Sequence, residues 1–284
     1  MRKLMLLLST AAILVITGCS NDSENNSQEI NQTTTTDKTT DAEPPTEPLN
    51  YTMVQKDTIL GDCDDETAFP PCTHLSLSYP DGLSGSGSIV RDSISAMVRQ
   101  YIFEGDSDGQ FFSKYKPTPL DSLDDSYRDI PTSKWDIDNQ ISIEHNTTQL
   151  ITVKYQTYQY TGGAHGNGSS VFFNLDPATG QAYELADFLE KPAYRDSLNA
   201  IAEQTFRKKY ELGNQSLKSA GYWFQNNDFK LNDNFTITEE GLNFLFNAYE
   251  ITSYAAGTPE LFISWQSIEG IIDESSVPVS LSNE

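Results

Sequence analysis

The spacing of hydrophobic residues changes along the chain between a period typical of strands and one typical of helices. Leu75, Leu77 and Tyr79 alternate with polar residues, which predicts a half-buried strand over 73–80. Apolar residues then recur at intervals of three and four between Val90 and Tyr101, which predicts an amphipathic helix. The first predicted elements of the folded region are therefore one strand and one helix.

Strand patterns dominate the sequence from residue 135 onward. The apolar segments 141–143 and 150–155 flank a polar turn and predict a hairpin, whose second strand continues to Tyr160. The segments 171–175 and 181–185 flank a turn containing Asp, Pro and Gly, which predicts a second hairpin. The middle of the chain is therefore expected to form antiparallel strands.

One helix and two strands complete the predicted elements. Apolar residues after Pro192 share one face as far as Tyr210, and cationic residues lie near the end of this predicted helix. The segments 242–246 and 260–265 are predicted strands. Helices and antiparallel strands fall in separate blocks, so the expected fold class is α+β, with antiparallel sheets, packed helices and two small α/β subdomains.

The first residues have the pattern of an export signal. A basic start at Arg2 and Lys3 precedes an apolar run, and residues 16–19 read Ile-Thr-Gly-Cys, which resembles the lipobox of bacterial lipoproteins. Residues 1–18 are therefore predicted to be a lipoprotein signal peptide, and Cys19 is predicted to carry lipid. The alternative is an ordinary secreted protein whose cysteine falls there by chance. Ser20, rather than Asp, resembles the outer-membrane sorting signal of Gram-negative lipoproteins.

A polar segment follows the predicted lipid anchor. It is rich in Ser, Asn, Thr, Glu and Pro and cannot bury enough apolar surface to offset its ordering entropy, so 19–50 is predicted to be a lipidated, disordered tether. Residues 51–135 are then an N-terminal α+β subdomain with a disulfide, and 136–284 are a C-terminal α+β domain. The expected location is the cell envelope, with a lipid anchor in the outer membrane.

Charge narrows the classes of partner. The chain has 41 acidic and 18 Lys or Arg residues, a formal net charge of −23. This balance argues against nucleic acid, whose phosphates require a basic surface. It suits a strongly cationic partner, because opposite fields speed encounter, although solubility in a crowded envelope explains it equally simply.

The cysteines predict a disulfide and no metal site. If Cys19 carries lipid, Cys63 and Cys72 remain as a pair in an oxidising compartment, where disulfides persist. Two cysteines with no second pair nearby do not make a zinc site. The segment 106–109 resembles a fragment of a calcium loop, but the bidentate glutamate of an EF-hand is missing, which leaves only weak calcium binding as an alternative. No metal and no cofactor are expected.

Two motifs carry a resemblance to a known family. Residues 160–166 read Tyr-Thr-Gly-Gly-Ala-His-Gly, and residues 249–257 read Tyr-Glu-Ile-Thr-Ser-Tyr-Ala-Ala-Gly. The segment 140–270 that contains them resembles the domain shared by RsiV, the lysozyme-sensing anti-sigma factor, and the non-catalytic region of PdaC-type peptidoglycan deacetylases. The segment 63–131 matches the part that precedes this domain only diffusely. The resemblance implies an extracytoplasmic α+β module, without the sigma-binding part or the deacetylase domain.

The sequence contains no complete catalytic motif. Among His74, His145 and His165 there is no HExxH pair, and no GxSxG elbow occurs. His165 is the best catalytic candidate, with Glu250 as a hypothetical acid/base partner. The alternative is that the neighbouring glycines build a tight bend and that His165 bonds to nearby strands. No enzymatic activity is expected.

Aromatic residues suggest ligand binding instead, because aromatic rings often stack on sugars or anchor protein interfaces. The chain is expected to be a non-catalytic envelope lipoprotein that binds a protein or glycan partner at the cell wall, with lysozyme the named candidate. A peptidoglycan hydrolase centred on His165 and a purely structural lipoprotein are the competing hypotheses. The candidate ligand-binding residues are Tyr160, Gly162, Gly163, His165, Glu250 and Tyr254.

Overall fold

The computed structural model of the chain describes residues 45–127 and 133–281. The predicted signal peptide 1–18, Cys19 and the predicted tether as far as residue 44 lie outside the described residues. The first strand begins at Leu49, whose side chain is buried and whose N–H and C=O both bond to the Asn146 side chain. The predicted tether to residue 50 therefore overlaps the start of the folded region.

The first half of the described chain is built around a five-stranded sheet with the strand order β1-β3-β5-β6-β7. Strands β3 and β5 are parallel, and the other neighbours are antiparallel. A two-stranded ribbon, β2 with β4, lies outside this sheet. The strand bounds are β1 Leu49–Gly61, β2 Ala68–Phe69, β3 Cys72–Gly85, β4 Thr118–Pro119, β5 Trp135–Asn146, β6 Ile151–Tyr160 and β7 Asn167–Leu175.

Strand β1 was not predicted, because its hydrophobic alternation is weak. It is an edge strand with one neighbour, and its half-buried row includes Lys56 and Thr58. Lys56 lies over the rings of Tyr79 and Phe103, 5.8 and 5.7 Å from their centroids, and its ammonium group pairs with Asp108 at 3.2 Å. The methylene stem of a lysine can cover apolar surface in this way, which hides the strand from a hydrophobicity pattern.

One face of this sheet is covered by helices. Helix α1, Ser88–Met97, continues as a π-helical segment, Val98–Ile102, and α2 spans Asp108–Lys114. Their buried side chains pack against inward-facing residues of β3, β5, β6 and β7 to form the first hydrophobic core. The predicted helix between Val90 and Tyr101 is confirmed, whereas α2 was missed because seven residues give too short a periodic signal.

The second half of the described chain has its own core. Helix α3, Tyr194–Lys209, packs with Leu198, Ala202 and Phe206 against a three-stranded antiparallel sheet of order β10-β9-β8. These strands are β8 Phe235–Ile237, β9 Gly241–Leu245 and β10 Glu260–Ser264. The α+β fold class and the two terminal strands predicted from the sequence are confirmed.

The hairpin predicted over 171–185 is only half present. Strand β7 forms, but the returning segment makes a single bridge, Leu175 with Ala182, and then a 3-10 turn over Leu185–Phe188. The Asp187 carboxylate accepts a hydrogen bond from the Glu184 N–H at 2.9 Å, which favours the turn over a strand. Leu185 and Phe188 are buried in the second core.

The two cores meet at strand β7, and the five-stranded sheet crosses the domain boundary predicted at 135/136. Trp135 pairs with Thr73 in the sheet, which then continues to Leu175. The outer edge of β7 bonds to asparagine side chains: Asn234 Oδ1 accepts from the Phe172 N–H at 2.9 Å, and Asn247 Oδ1 accepts from the Ser170 N–H at 2.7 Å. The division between the two halves therefore lies after β7.

Two further features bear on the sequence predictions. Cys63 and Cys72 form a disulfide that closes the connection between β1 and β3. Within the described residues, no helix is both long and apolar enough to cross a lipid bilayer.

Candidate functional site

The glycine-rich motif forms the turn between β6 and β7. Gly162 and Gly163 have φ angles of +102° and +94°, a region that side chains with a Cβ rarely adopt. The Tyr160 hydroxyl donates to the Gly163 carbonyl at 3.1 Å and holds the turn against the end of β6. At Gly166 a Cβ would lie 2.4 Å from the Tyr158 ring. The glycines therefore have a structural role, in line with the alternative drawn from the sequence.

His165 lies at the tip of this turn and makes hydrogen bonds with both ring nitrogens. Its Nδ1 lies 2.8 Å from the Gly166 carbonyl, and its Nε2 lies 3.2 Å from the Tyr249 hydroxyl. A carbonyl only accepts, so Nδ1 carries the proton and Nε2 accepts from the phenol in the neutral ring. Tyr254 stacks on the imidazole with centroids 4.1 Å apart and an interplanar angle of 13°.

Tyr249 is held in a rarely populated backbone conformation. Its φ of +65° lies in the left-handed region, which is uncommon for a bulky residue. The ring nevertheless remains 48% exposed, 5.6 Å from the Tyr254 ring between centroids. Such strain persists only where the surroundings enforce it, and it concentrates at functional sites. We call His165, Tyr249 and Tyr254 the aromatic cluster.

Glu250 does not pair with His165 in the structure, contrary to the sequence hypothesis. Its carboxylate accepts hydrogen bonds from Asn232 Nδ2 and from the Asn247 N–H, both at 2.8 Å. These bonds close the turn that places Tyr249 beside His165. Glu250 is therefore a positioning residue for the aromatic cluster, and the acid/base couple required by the hydrolase hypothesis is not formed.

A groove of about 540 Å³ lies beside the aromatic cluster. It runs between the outward-facing side chains of β6 and β7 and the loop between β9 and β10. Its lining is mixed, with exposed rings, amides and a few charges, and it includes Lys154, Gln156, Tyr158, Phe172, Asn247 and Tyr254. Such a surface offers both stacking faces and hydrogen-bonding groups to a ligand.

The three tyrosines of β6 do not share one environment. Tyr158 and Tyr160 point to the outer face of the sheet, whereas Tyr155 points inward and stacks on Tyr101 with centroids 4.8 Å apart. Burial raises the pKa of the Tyr155 phenol. The alternation of side chains along β6 could have separated Tyr155 from Tyr158 and Tyr160. Tyr249 was not among the candidate residues, because no local pattern marks its contact with His165.

A lysine forms ion pairs with the acidic segment before α2. Lys114 Nζ pairs with Glu104 at 2.9 Å and with Asp106, and α2 begins just after Ser107. Across residues 45–127 and 133–281, no group of three or more His, Cys, Asp and Glu side chains is arranged to hold a metal ion. This segment therefore offers no support for the calcium alternative.

Comparison with known proteins matches two consecutive segments of the chain to families. Residues 70–168 match the family described as deacetylase PdaC, and residues 186–266 match a family described as a protein of unknown function, DUF3298. Together these matches support a PdaC-type/DUF3298 family of extracytoplasmic domains for this chain. The gap between the matched segments, 169–185, contains most of β7 and the turn that follows it.

Proteins similar to this chain include an enzyme and two solved structures. A peptidoglycan-N-acetylmuramic acid deacetylase PdaC from Bacillus subtilis is 22% identical over 148 residues, which are 51% of this chain but 31% of the enzyme. A DUF3298 family structure from Bacteroides fragilis has a TM-score of 0.64 at 18% identity, covering 82% of this chain and 97% of that one. One from Pseudomonas aeruginosa has a TM-score of 0.55 at 19% identity, covering 81% and 97%.

These comparisons sharpen the resemblance seen in the sequence. The PdaC-type segment begins at residue 70, well before the segment 140–270 in which the resemblance was recognised. The two solved structures share the fold of this chain, and the enzyme's matched region is a minor part of its length. An envelope-associated, extracytoplasmic domain is therefore supported by the family.

Proposed function

We propose that this PdaC-type/DUF3298 chain is a non-catalytic cell-envelope module that binds a cationic protein partner through the aromatic cluster, with lysozyme as the named candidate. The observation that carries the proposal is Tyr249, an exposed ring held by a strained backbone and bonded to His165. Exposed, preorganised aromatic rings supply much of the affinity at protein interfaces.

The geometry of His165 favours binding over catalysis. Its two nitrogens bond to a carbonyl and a phenol, and the nearby Glu250 is engaged by Asn232 and Asn247. A general base needs a free nitrogen aimed at the proton it removes. The deacetylase activity named for the Bacillus subtilis relative is not proposed for this chain, because the match covers 31% of that enzyme.

Charge supports the choice of a cationic partner. The net charge of −23 gives the protein a strong negative field, which speeds association with positive proteins. Lysozyme enters through the family resemblance to a lysozyme-sensing domain. Increasing ionic strength from about 0.01 M to 0.15 M shortens the Debye length from about 30 to 8 Å, so the association rate should fall accordingly.

Titration calorimetry of the full chain in detergent with lysozyme, at both ionic strengths, tests this proposal. Tyr249→Ala and Tyr254→Ala should each weaken binding by roughly 30-fold, as expected for central aromatic residues worth about 2 kcal/mol. Phe262→Ala is the matched control, because it removes a ring that is 42% exposed on β10. No binding at micromolar concentration would remove lysozyme as the partner.

A second assay separates binding from catalysis. The protein is incubated with purified peptidoglycan, and soluble muropeptides are measured for the wild type and for His165→Ala. A binding module should release none with either protein. Release by the wild type that His165→Ala abolishes would contradict the proposal and assign the site to a hydrolase.

The location proposed for this module is the outer membrane, through lipid on Cys19. The support is the lipobox-like sequence at 16–19 and the Ser20 that follows it. Two or more acyl chains give stable attachment, whereas one gives marginal binding. Mass spectrometry of the native protein should show an acylated Cys19 at the N-terminus, and Cys19→Ser should move the protein to the soluble fraction. A free thiol on an uncleaved chain would contradict the anchor.

A further inference from the structure

The outer face of the five-stranded sheet carries a regular array that the proposed function does not use. The helices α1 and α2 cover the opposite face, while the outward-facing residues at 136, 138 and 140 of β5 and at 156, 158 and 160 of β6 are half-buried or exposed. Part of this array, Gln156 and Tyr158, also borders the groove beside the aromatic cluster. We define the platform as the six residues Asp136, Asp138, Gln140, Gln156, Tyr158 and Tyr160.

The platform residues stand in directly opposed pairs across two antiparallel strands. Asp136 lies opposite Tyr160, and Asp138 lies opposite Tyr158. Side chains opposite each other on one face have Cβ atoms about 4.5–5.5 Å apart, and successive pairs on that face lie about 7 Å apart along the strands. Each tyrosine ring therefore has a carboxylate as its immediate neighbour, and the arrangement repeats.

Tyr158 is fixed with one side against glycine backbone. A Cβ on Gly166 would lie 2.4 Å from the ring, so only glycine leaves room for it, and Gly168 lies opposite Tyr158 on β7. The residue nevertheless remains 40% exposed. A ring that is already in place loses little conformational entropy when a ligand stacks on it.

The polar platform groups are also held by their neighbours. Gln140 Nε2 donates to both carboxylate oxygens of Asp138 at 3.0 Å, and Asp136 contacts His74 at 3.2 Å and Lys134 at 3.6 Å. The side chains of His74 and Asp136 are 45% and 31% exposed. Both half-buried carboxylates are thus held by neighbours, and each oxygen has a further lone pair that can accept a hydrogen bond.

We infer that the platform binds a polysaccharide whose sugars carry free amino groups. The face of a tyrosine ring attracts C–H groups and cations, and an adjacent carboxylate accepts hydrogen bonds from hydroxyl and ammonium groups. A repeated pair of ring and carboxylate matches a chain of repeated amino sugars. The negative field of the protein, with a net charge of −23, favours a cationic chain and disfavours anionic ones.

The test compares three soluble glycans, titrated into the full chain in detergent at a pH where the free amine is protonated. The glucosamine hexamer should bind more tightly than the N-acetylglucosamine hexamer, and polygalacturonate should not bind. Equal binding of the two hexamers, or no binding of either, would overturn the inference.

Variants locate the binding on the platform. Asp136→Asn with Asp138→Asn keeps side-chain shape and should weaken binding of the glucosamine hexamer about fivefold or more, as expected for two exposed charge contacts. The matched control, Glu239→Gln with Glu269→Gln, removes two exposed carboxylates from the second half of the chain and should leave binding unchanged. Wild-type affinity in the aspartate variant would overturn the inference.

Two further measurements distinguish the platform from the aromatic cluster and from a dimer interface. The aspartate variant should still bind lysozyme, whereas Tyr249→Ala, whose position lies outside the groove lining that Tyr158 shares, should still bind the hexamer, so the platform and the aromatic cluster can fail separately. Tyr158→Ala should also weaken hexamer binding while keeping the circular dichroism spectrum. Dimerisation in sedimentation that the aspartate variant abolishes would assign this sheet face to a second copy of the chain and overturn the inference.

Discussion

The strained backbone at Tyr249 predicts that two substitutions at this position differ in stability but not in lysozyme binding. Tyr249→Ala and Tyr249→Gly both remove the ring, but only alanine keeps a Cβ at a φ of +65°. The left-handed conformation costs about 1–2 kcal/mol for a residue with a Cβ, while glycine gains about 0.4–1 kcal/mol of freedom in the unfolded chain. The glycine variant should therefore be about 0.5–1 kcal/mol more stable than the alanine variant.

Urea unfolding of the two variants measures this difference. The transition midpoint of Tyr249→Gly should be higher than that of Tyr249→Ala, with the same dependence on denaturant, because the surface exposed on unfolding is nearly the same. Lysozyme binding should be weakened equally in both. An alanine variant as stable as the glycine variant would show that the turn is not strained, and the link from strain to function would then fail.

Three further predictions concern stability and titration. Phe206 is fully buried among other aromatic rings, so Phe206→Ala should lower the free energy of unfolding by about 3–5 kcal/mol in urea; a loss below about 1 kcal/mol would contradict this packing. Replacing Cys63 and Cys72 together by serine should cost about 2–3 kcal/mol, whereas an unchanged midpoint would show that the nine-residue closure contributes nothing. Burial and two nearby carboxylates raise the pKa of Tyr183 to about 12. The neutral phenol therefore stabilises the fold below pH ~10, and this contribution is lost as pH rises through about 12. Ultraviolet titration of Tyr183→Phe should lack one late phenolate transition; an unchanged curve would refute the assignment.

Elements with strong periodicity could be predicted from the sequence. Helix α3 and the strands β9 and β10 carry apolar residues at regular spacing, and each formed within a few residues of the expected place. Strand β1 could not be predicted in the same way, because Lys56 and Thr58 interrupt its inward row. The domain boundary was misplaced because parallel pairing between β3 and β5 joins segments about 60 residues apart, and no local pattern records such pairing.

Contacts between distant segments also limited what could be predicted about the candidate site. The glycines of 162–166 and the later motif at 249–257 were recognised separately, but the hydrogen bond from Tyr249 to His165 joins residues 84 positions apart. Glu250, the hypothetical acid/base partner of His165, instead closes the turn through Asn232 and Asn247. Sequence patterns identified two segments that the fold brings together, while the direction of each side chain depended on tertiary packing.

The aromatic cluster as a protein-binding surface is the central claim, and hydrogen–deuterium exchange with and without lysozyme tests it most directly. Binding should slow exchange in two separated segments, 162–166 and 247–257, because the cluster brings them together. The amides of α3, on the other hand, should exchange as before. Lysozyme that leaves both segments unchanged, or that protects only a distant surface, would contradict the account.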